Sequence, residues 1–101
     1  MHCEKILFIM LITQEQIEKI LVLAKAYGAV RLILFGSALH TTGEARDIDI
    51  ACDGVAGWKL YAFGAQLEEA LHMPLDVVPL SPPSRFTKII ESKGKVIYDN
   101  R

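Results

Sequence analysis

The sequence predicts an α/β chain in which short apolar strands alternate with amphipathic helices. Three observations predict it. Ile17, Ile20, Leu21, Ala24 and Tyr27 recur at helical intervals, and Leu60, Phe63, Leu67 and Leu71 do so again. Around these stripes lie the mostly apolar runs 30–35 and 75–80 and the alternating segment 45–52, each of strand length and each followed by a turn or breaker residue.

The first helix is expected over about 14–27. Thr13 and Gln16 have the spacing of a capping box, Gly28 supplies a stop, and Glu15, Glu18, Lys19 and Lys25 form a solvated face. Val30 to Phe35 is the first strand, ended by Gly36; His40 to Glu44 reads as a loop, and Ala45 to Cys52 as the second strand, closed by the turn pair Asp53-Gly54. A second helix runs from Trp58 to Leu71, and Pro74 stops it near His72 or Met73. Leu75 to Leu80 is the third strand. Ser81-Pro82-Pro83 leads into a short helix that buries Phe86, Ile89 and Ile90 and ends near Glu91 or Ser92, and Lys95 to Tyr98 adds a last strand after Gly94.

A chain of 101 residues has room for one core and little for a second lobe, so residues 13–101 are read as a single domain. Residues 1–12 are read as an apolar extension or an added edge strand, and Met10 offers a second start. The run Ile6 to Ile12 is too short to span a bilayer and lacks a cleavage site, so neither a membrane span nor a signal peptide is expected. A formal net charge of −1 gives no broad electrostatic grip on a nucleic-acid backbone, so direct nucleic-acid binding is not expected. Cys3 and Cys52 have neither disulfide density nor zinc spacing and read as free thiols in a reducing cytoplasm. Self-association is left open.

The chemistry concentrates in Leu34 to Cys52. Asp47 and Asp49 alternate with Ile48 and Ile50, so a strand there presents both carboxylates on one face and both isoleucines on the other. Gly36 lets the chain turn and a ligand approach the backbone, and Ser37 offers a hydroxyl and an N–H to a phosphate oxygen. Asp76 is a charge inside an otherwise apolar strand. If that strand pairs beside the second, Asp76 joins Asp47 and Asp49. Gathered carboxylates repel unless a cation neutralises them, and hard oxygen ligands favour Mg2+ or Mn2+. Two such ions roughly 3.5–4 Å apart clamp the attacking and leaving oxygens of an in-line phosphoryl displacement. In that arrangement Asp47 and Asp49 hold the metals on the triphosphate, and Asp76 holds the second metal or takes the proton of the attacking hydroxyl.

The ordered set LFGS (34–37), DID (47–49) and LDVV (75–78) resembles the minimal nucleotidyltransferases (MNT) of the DNA polymerase beta-like nucleotidyltransferase superfamily, over residues 14–98. The resemblance implies a small mixed β-sheet flanked by helices. It also implies magnesium-dependent transfer of a nucleoside monophosphate, AMP from ATP, to an acceptor hydroxyl with release of pyrophosphate. Carried over by position, Gly36 and Ser37 match the nucleotide-binding pair, and Asp47, Asp49 and Asp76 match the catalytic, metal-holding triad. Small members of this kind resemble antitoxins paired with HEPN toxins, which implies a HEPN-type partner protein as acceptor and a cytoplasmic toxin–antitoxin role. The alternative is a catalytically inactive member that acts as a partner-binding antitoxin.

The pattern departs from the family in one place. The connection from Ser37 to Asp47 is one residue shorter than in many members, Leu39-His40-Thr41 replaces the frequent Ala-Arg-Gly, and Arg46 replaces the usual serine before the first aspartate. The acidic positions are all present. Outside them, His40 reads as an exposed loop residue, Trp58 and Tyr61 as core or partner-facing aromatics before base stackers, and Arg85 and Lys88 as solvated cations.

Overall fold

The computed structural model describes residues 13–35, 48–55 and 57–101. The expected extension at 1–12, Cys3, the 40–44 loop with His40, and the first three residues of the expected second strand lie outside the described residues. The elements run α1 (Gln14–Ala26), β1 (Arg31–Phe35), β2 (Ile48–Asp53), α2 (Trp58–Leu71), β3 (Leu75–Pro79), α3 (Arg85–Lys93) and β4 (Lys95–Asp99).

Helix α1 starts where the capping box put it. The Gln16 N–H donates to Thr13 Oγ1 at 3.1 Å and the Thr13 N–H donates to Gln16 Oε1 at 3.0 Å, which satisfies two of the free donors of the first turn. Helix α2 ends as Pro74 required, on His72 in the left-handed conformation, whose N–H donates to the Glu68 carbonyl at 2.8 Å. Helix α3 carries a second reciprocal cap. Its N-cap is Ser84, whose hydroxyl accepts from the Thr87 N–H at 3.2 Å while Thr87 Oγ1 accepts from the Ser84 N–H at 2.8 Å. A threonine at that position falls outside the usual Glu or Gln pattern, which is why the entry was expected earlier, at Ser81.

The strands form one mixed sheet in the order β3-β2-β1-β4. β1 pairs antiparallel with both β2 and β4, and β3 runs parallel to β2 because α2 carries the chain back across the sheet between them. Alternation along the strands then divides the interior in two. Leu32, Leu34, Ile50, Cys52, Leu75 and Val77 face α1 and α2, with Ile20, Ala24, Phe63 and Leu67 completing that core. On the other face Ile33, Ala51, Val78 and Leu80 pack against Ile90 of α3. Phe63 is fully buried and its ring centroid lies 5.3 Å from that of Tyr27, which joins α2 to the end of α1.

One expectation is corrected here. The sheet-facing side of α3 consists of Thr87 and Ile90, while Phe86 and Ile89 are half-exposed. The spacing i, i+3, i+4 puts Phe86, Ile89 and Ile90 on one helix face, but the sheet receives the face centred on Thr87 and Ile90 and leaves Phe86 and Ile89 on its flank. The helix also runs to Lys93, one residue past the expected end. Arg31, on the same face, is tied to Glu91 of α3 at 2.7 Å, although its buried Nε has no hydrogen-bond partner among the described residues. No helix of the described residues is long and apolar enough to cross a membrane.

Candidate active site

Strand register decides which of the predicted residues meet. In the parallel ladder Asp49 of β2 is the direct neighbour of Asp76 of β3, and in the antiparallel ladder Phe35 of β1 is the cross-strand partner of Asp49. Adjacent strands lie about 4.8 Å apart, so these three side chains form a row across one end of the sheet. The same alternation that sends Leu75, Val77 and Ile50 into the core under α1 and α2 sends Asp76 and Asp49 to the opposite face. Among the described residues the helix on that face is α3. Asp49 is partly buried and Asp76 is exposed.

Each aspartate is held by a different device. Asp49 sits between two paired strands, so both sides of its backbone are fixed. Asp76 lies on an edge strand, and its neighbour Leu75 is anchored from outside: the Leu75 N–H donates to the Glu68 carboxylate of α2 at 3.1 Å. Glu68 lies outside the apolar stripe of Leu60, Phe63, Leu67 and Leu71, and the stripe assigns it no contact. Nothing in the spacing of Glu68 and Leu75 announces a contact made through the α2–β3 turn, so the residue was missed for want of a local signal. A second unforeseen contact lies on the other side of the row. Phe86 of α3 meets Phe35 edge-to-face, with ring centroids 6.1 Å apart.

Gly36, Ser37 and Asp47 lie outside the described residues. In sequence Gly36 and Ser37 directly follow Phe35, and Asp47 directly precedes Ile48. Among the described residues no three His, Cys, Asp or Glu side chains group as a metal site. The two carboxylates at neighbouring positions do suit a hard divalent ion of the magnesium type, which takes one or two carboxylates and fills its remaining positions with water and phosphate oxygens. Two anionic groups side by side on one sheet face are otherwise mutually repulsive.

No family model and no curated protein matches the sequence. Solved structures do. A toxin–antitoxin crystallised with AMP-PNP superposes with a TM-score of 0.71 at 24% identity, over 84% of this chain and 74% of its own. The toxin–antitoxin MntA-HepT gives 0.68 at 22% identity, over 86% and 73%. A tri-AMPylated Shewanella oneidensis HEPN toxin in complex with its MNT antitoxin gives 0.68 at 24% identity, over 85% and 71%. The chain thus resembles the MNT antitoxins of these pairs and has their α+β fold, a four-stranded mixed sheet with helices on both faces.

Proposed function

We propose that this protein is a metal-dependent nucleotidyltransferase that moves AMP from ATP to a hydroxyl of a HEPN-type partner protein, as the antitoxin of a cytoplasmic toxin–antitoxin pair. The observation that carries the reading is the register that makes Asp76 the neighbour of Asp49 on the sheet face opposite the main core. A purely structural role gives no reason for two carboxylates to share that position. The likeness of the fold to a toxin–antitoxin crystallised with AMP-PNP, and to one whose HEPN toxin is AMPylated, supports the same chemistry.

In this reading Asp47, Asp49 and Asp76 hold Mg2+ or Mn2+, and Gly36 and Ser37 receive the triphosphate through backbone N–H groups and the serine hydroxyl. The bound ions supply charge neutralisation at the α-phosphate and on the leaving pyrophosphate. Where Asp76 does not hold the second ion, its carboxylate, exposed at the sheet edge, accepts the proton of the acceptor hydroxyl as its oxygen attacks the α-phosphorus. The bond from that phosphorus to the bridging oxygen of the β-phosphate breaks, and pyrophosphate leaves with the electron pair. Glu68 acts through Leu75 and is a positioning residue for β3.

The altered connection after Ser37, with Leu39-His40-Thr41, favours keeping a second reading: a partner-binding antitoxin without transferase activity. Incubation with labelled ATP, magnesium and a HEPN-type partner separates the two. Transfer of label to the partner, abolished in Asp49→Asn with an unchanged circular dichroism spectrum, is the expected result. A wild-type protein that neither transfers label nor binds ATP in a metal-dependent way overturns the enzymatic reading.

A further inference from the structure

The outward flank of α3 is unlike that of a helix that only covers a sheet. Phe86 and Ile89, one turn apart, are 54% and 50% exposed. Arg85 and Lys93, each four residues from Ile89, border them; both are exposed, and among the described residues neither pairs with a carboxylate. The helix has one acidic side chain, Glu91, and that is already engaged by Arg31. On a chain of net charge −1, the flank is a local excess of positive charge built around two apolar side chains. Its position adds meaning: Phe86 touches Phe35, and Phe35 is the cross-strand partner of Asp49. The flank begins where the aspartate row begins.

The other side of that row offers a partner less. The outer edge of β3 is blunted, since the Leu75 N–H is taken by Glu68 and Pro79 has no N–H to give. Docking by strand addition along β3 is therefore disfavoured, and side-chain recognition on α3 is the better route.

Resting on the reading of Asp49 and Asp76 as the transfer site, we infer that Phe86 and Ile89, with Arg85 and Lys93, form the surface on which the acceptor protein docks, and that its occupant there is an acidic amphipathic helix. Apolar side chains at i and i+3 match the stripe of such a helix, and the two bordering cations complement its acidic edges. A nucleic acid would call for a longer run of cations and a series of stacking aromatics. Phe86 packs on Phe35, which shares a row with Asp49 and Asp76, so an acceptor held on this flank lies beside that row.

The test uses the full chain and a fluorescein-labelled synthetic peptide, an acidic amphipathic helix, beside a control in which every Glu is Lys. The acidic peptide binds the wild type and the basic one does not. Arg85→Glu with Lys93→Glu weakens that binding roughly tenfold or more, and Ile89→Glu does the same. Magnesium-dependent binding of AMP-PNP is unchanged in both variants, and their melting temperatures show that they fold. Equal binding of the two peptides, or undiminished binding by the variants, overturns the inference. So does preference for a single-stranded RNA, or self-association that Ile89→Glu abolishes. Loss of peptide binding with AMP-PNP binding intact in the wild type counts against the docking surface alone, whereas a wild type that binds no AMP-PNP counts against the site.

Discussion

Cys52 and Asp49 lie on the same strand three residues apart, so alternation sends them to opposite faces. Cys52 enters the core beneath α1 and α2. Burial pushes its thiol from 9.0 up to about 11; the nearby Asp53 charge adds to the rise, and a hydrogen bond from the Val55 backbone works against it. Almost no thiolate exists at neutral pH, so the folded chain should not react with iodoacetamide at Cys52. In a Cys3→Ser background, alkylation followed by mass spectrometry should show Cys52 protected until urea unfolds the protein; equal rates with and without urea would contradict its burial. The pH dependence has a definite sign. The folded pKa lies above the unfolded one, so the thiol's contribution to stability is complete below about pH 9 and is lost as pH rises through about 11. Urea midpoints measured across that window should fall more steeply for the wild type than for Cys52→Ala. Sequence spacing identified Cys52 as a free thiol but not as an inert one, because inertness depends on which face of β2 is covered.

Among the elements, the α3–β4 junction shows how a residue type can be legible while its reason is not. Gly94 reads in the sequence as a breaker, and the chain does turn from helix to strand there. Its φ of −82° is open to any residue, so backbone conformation is not what demands glycine. Close approach is: a Cβ would lie 2.5 Å from Ile33 Cγ2 and 2.7 Å from the carbonyl oxygens of Ile90 and Leu34. Two of these neighbours are backbone atoms that cannot yield without moving a strand or a helix turn. Gly94→Ala should therefore destabilise by about 1–3 kcal/mol, read as a lower urea midpoint with an unchanged slope. A midpoint equal to wild type would show that β4 can shift on β1. Helix α2 was readable end to end because a four-residue apolar stripe and Pro74 agree. The inward side of α3 was not, because Phe86, Ile89 and Ile90 all suit a helix interior and only the sheet selects among them.

At the scale of the whole molecule, the strand run Leu75 to Leu80 was legible, but its neighbour was not. Pairing with β2 in parallel depends on α2 returning the chain across the sheet, and the register that opposes Asp49 and Asp76 follows from that return. The sequence pattern named all three aspartates; tertiary structure alone could decide whether two of them meet. Their meeting has a consequence for stability. Two carboxylates at neighbouring strand positions repel in the metal-free chain, so a cation that bridges them and a nucleotide should stabilise the fold by linkage. A ligand at a hundredfold excess over its Kd contributes roughly 2.7 kcal/mol. For a chain of this size that corresponds to a rise in Tm of at least several degrees, at about 4–8 °C per kcal/mol. Magnesium with AMP-PNP should give that rise by scanning calorimetry, and EDTA should remove it. Asp49→Asn should show little response to magnesium with AMP-PNP. An equal response in the variant would mean that the ion and nucleotide bind away from the Asp49–Asp76 pair.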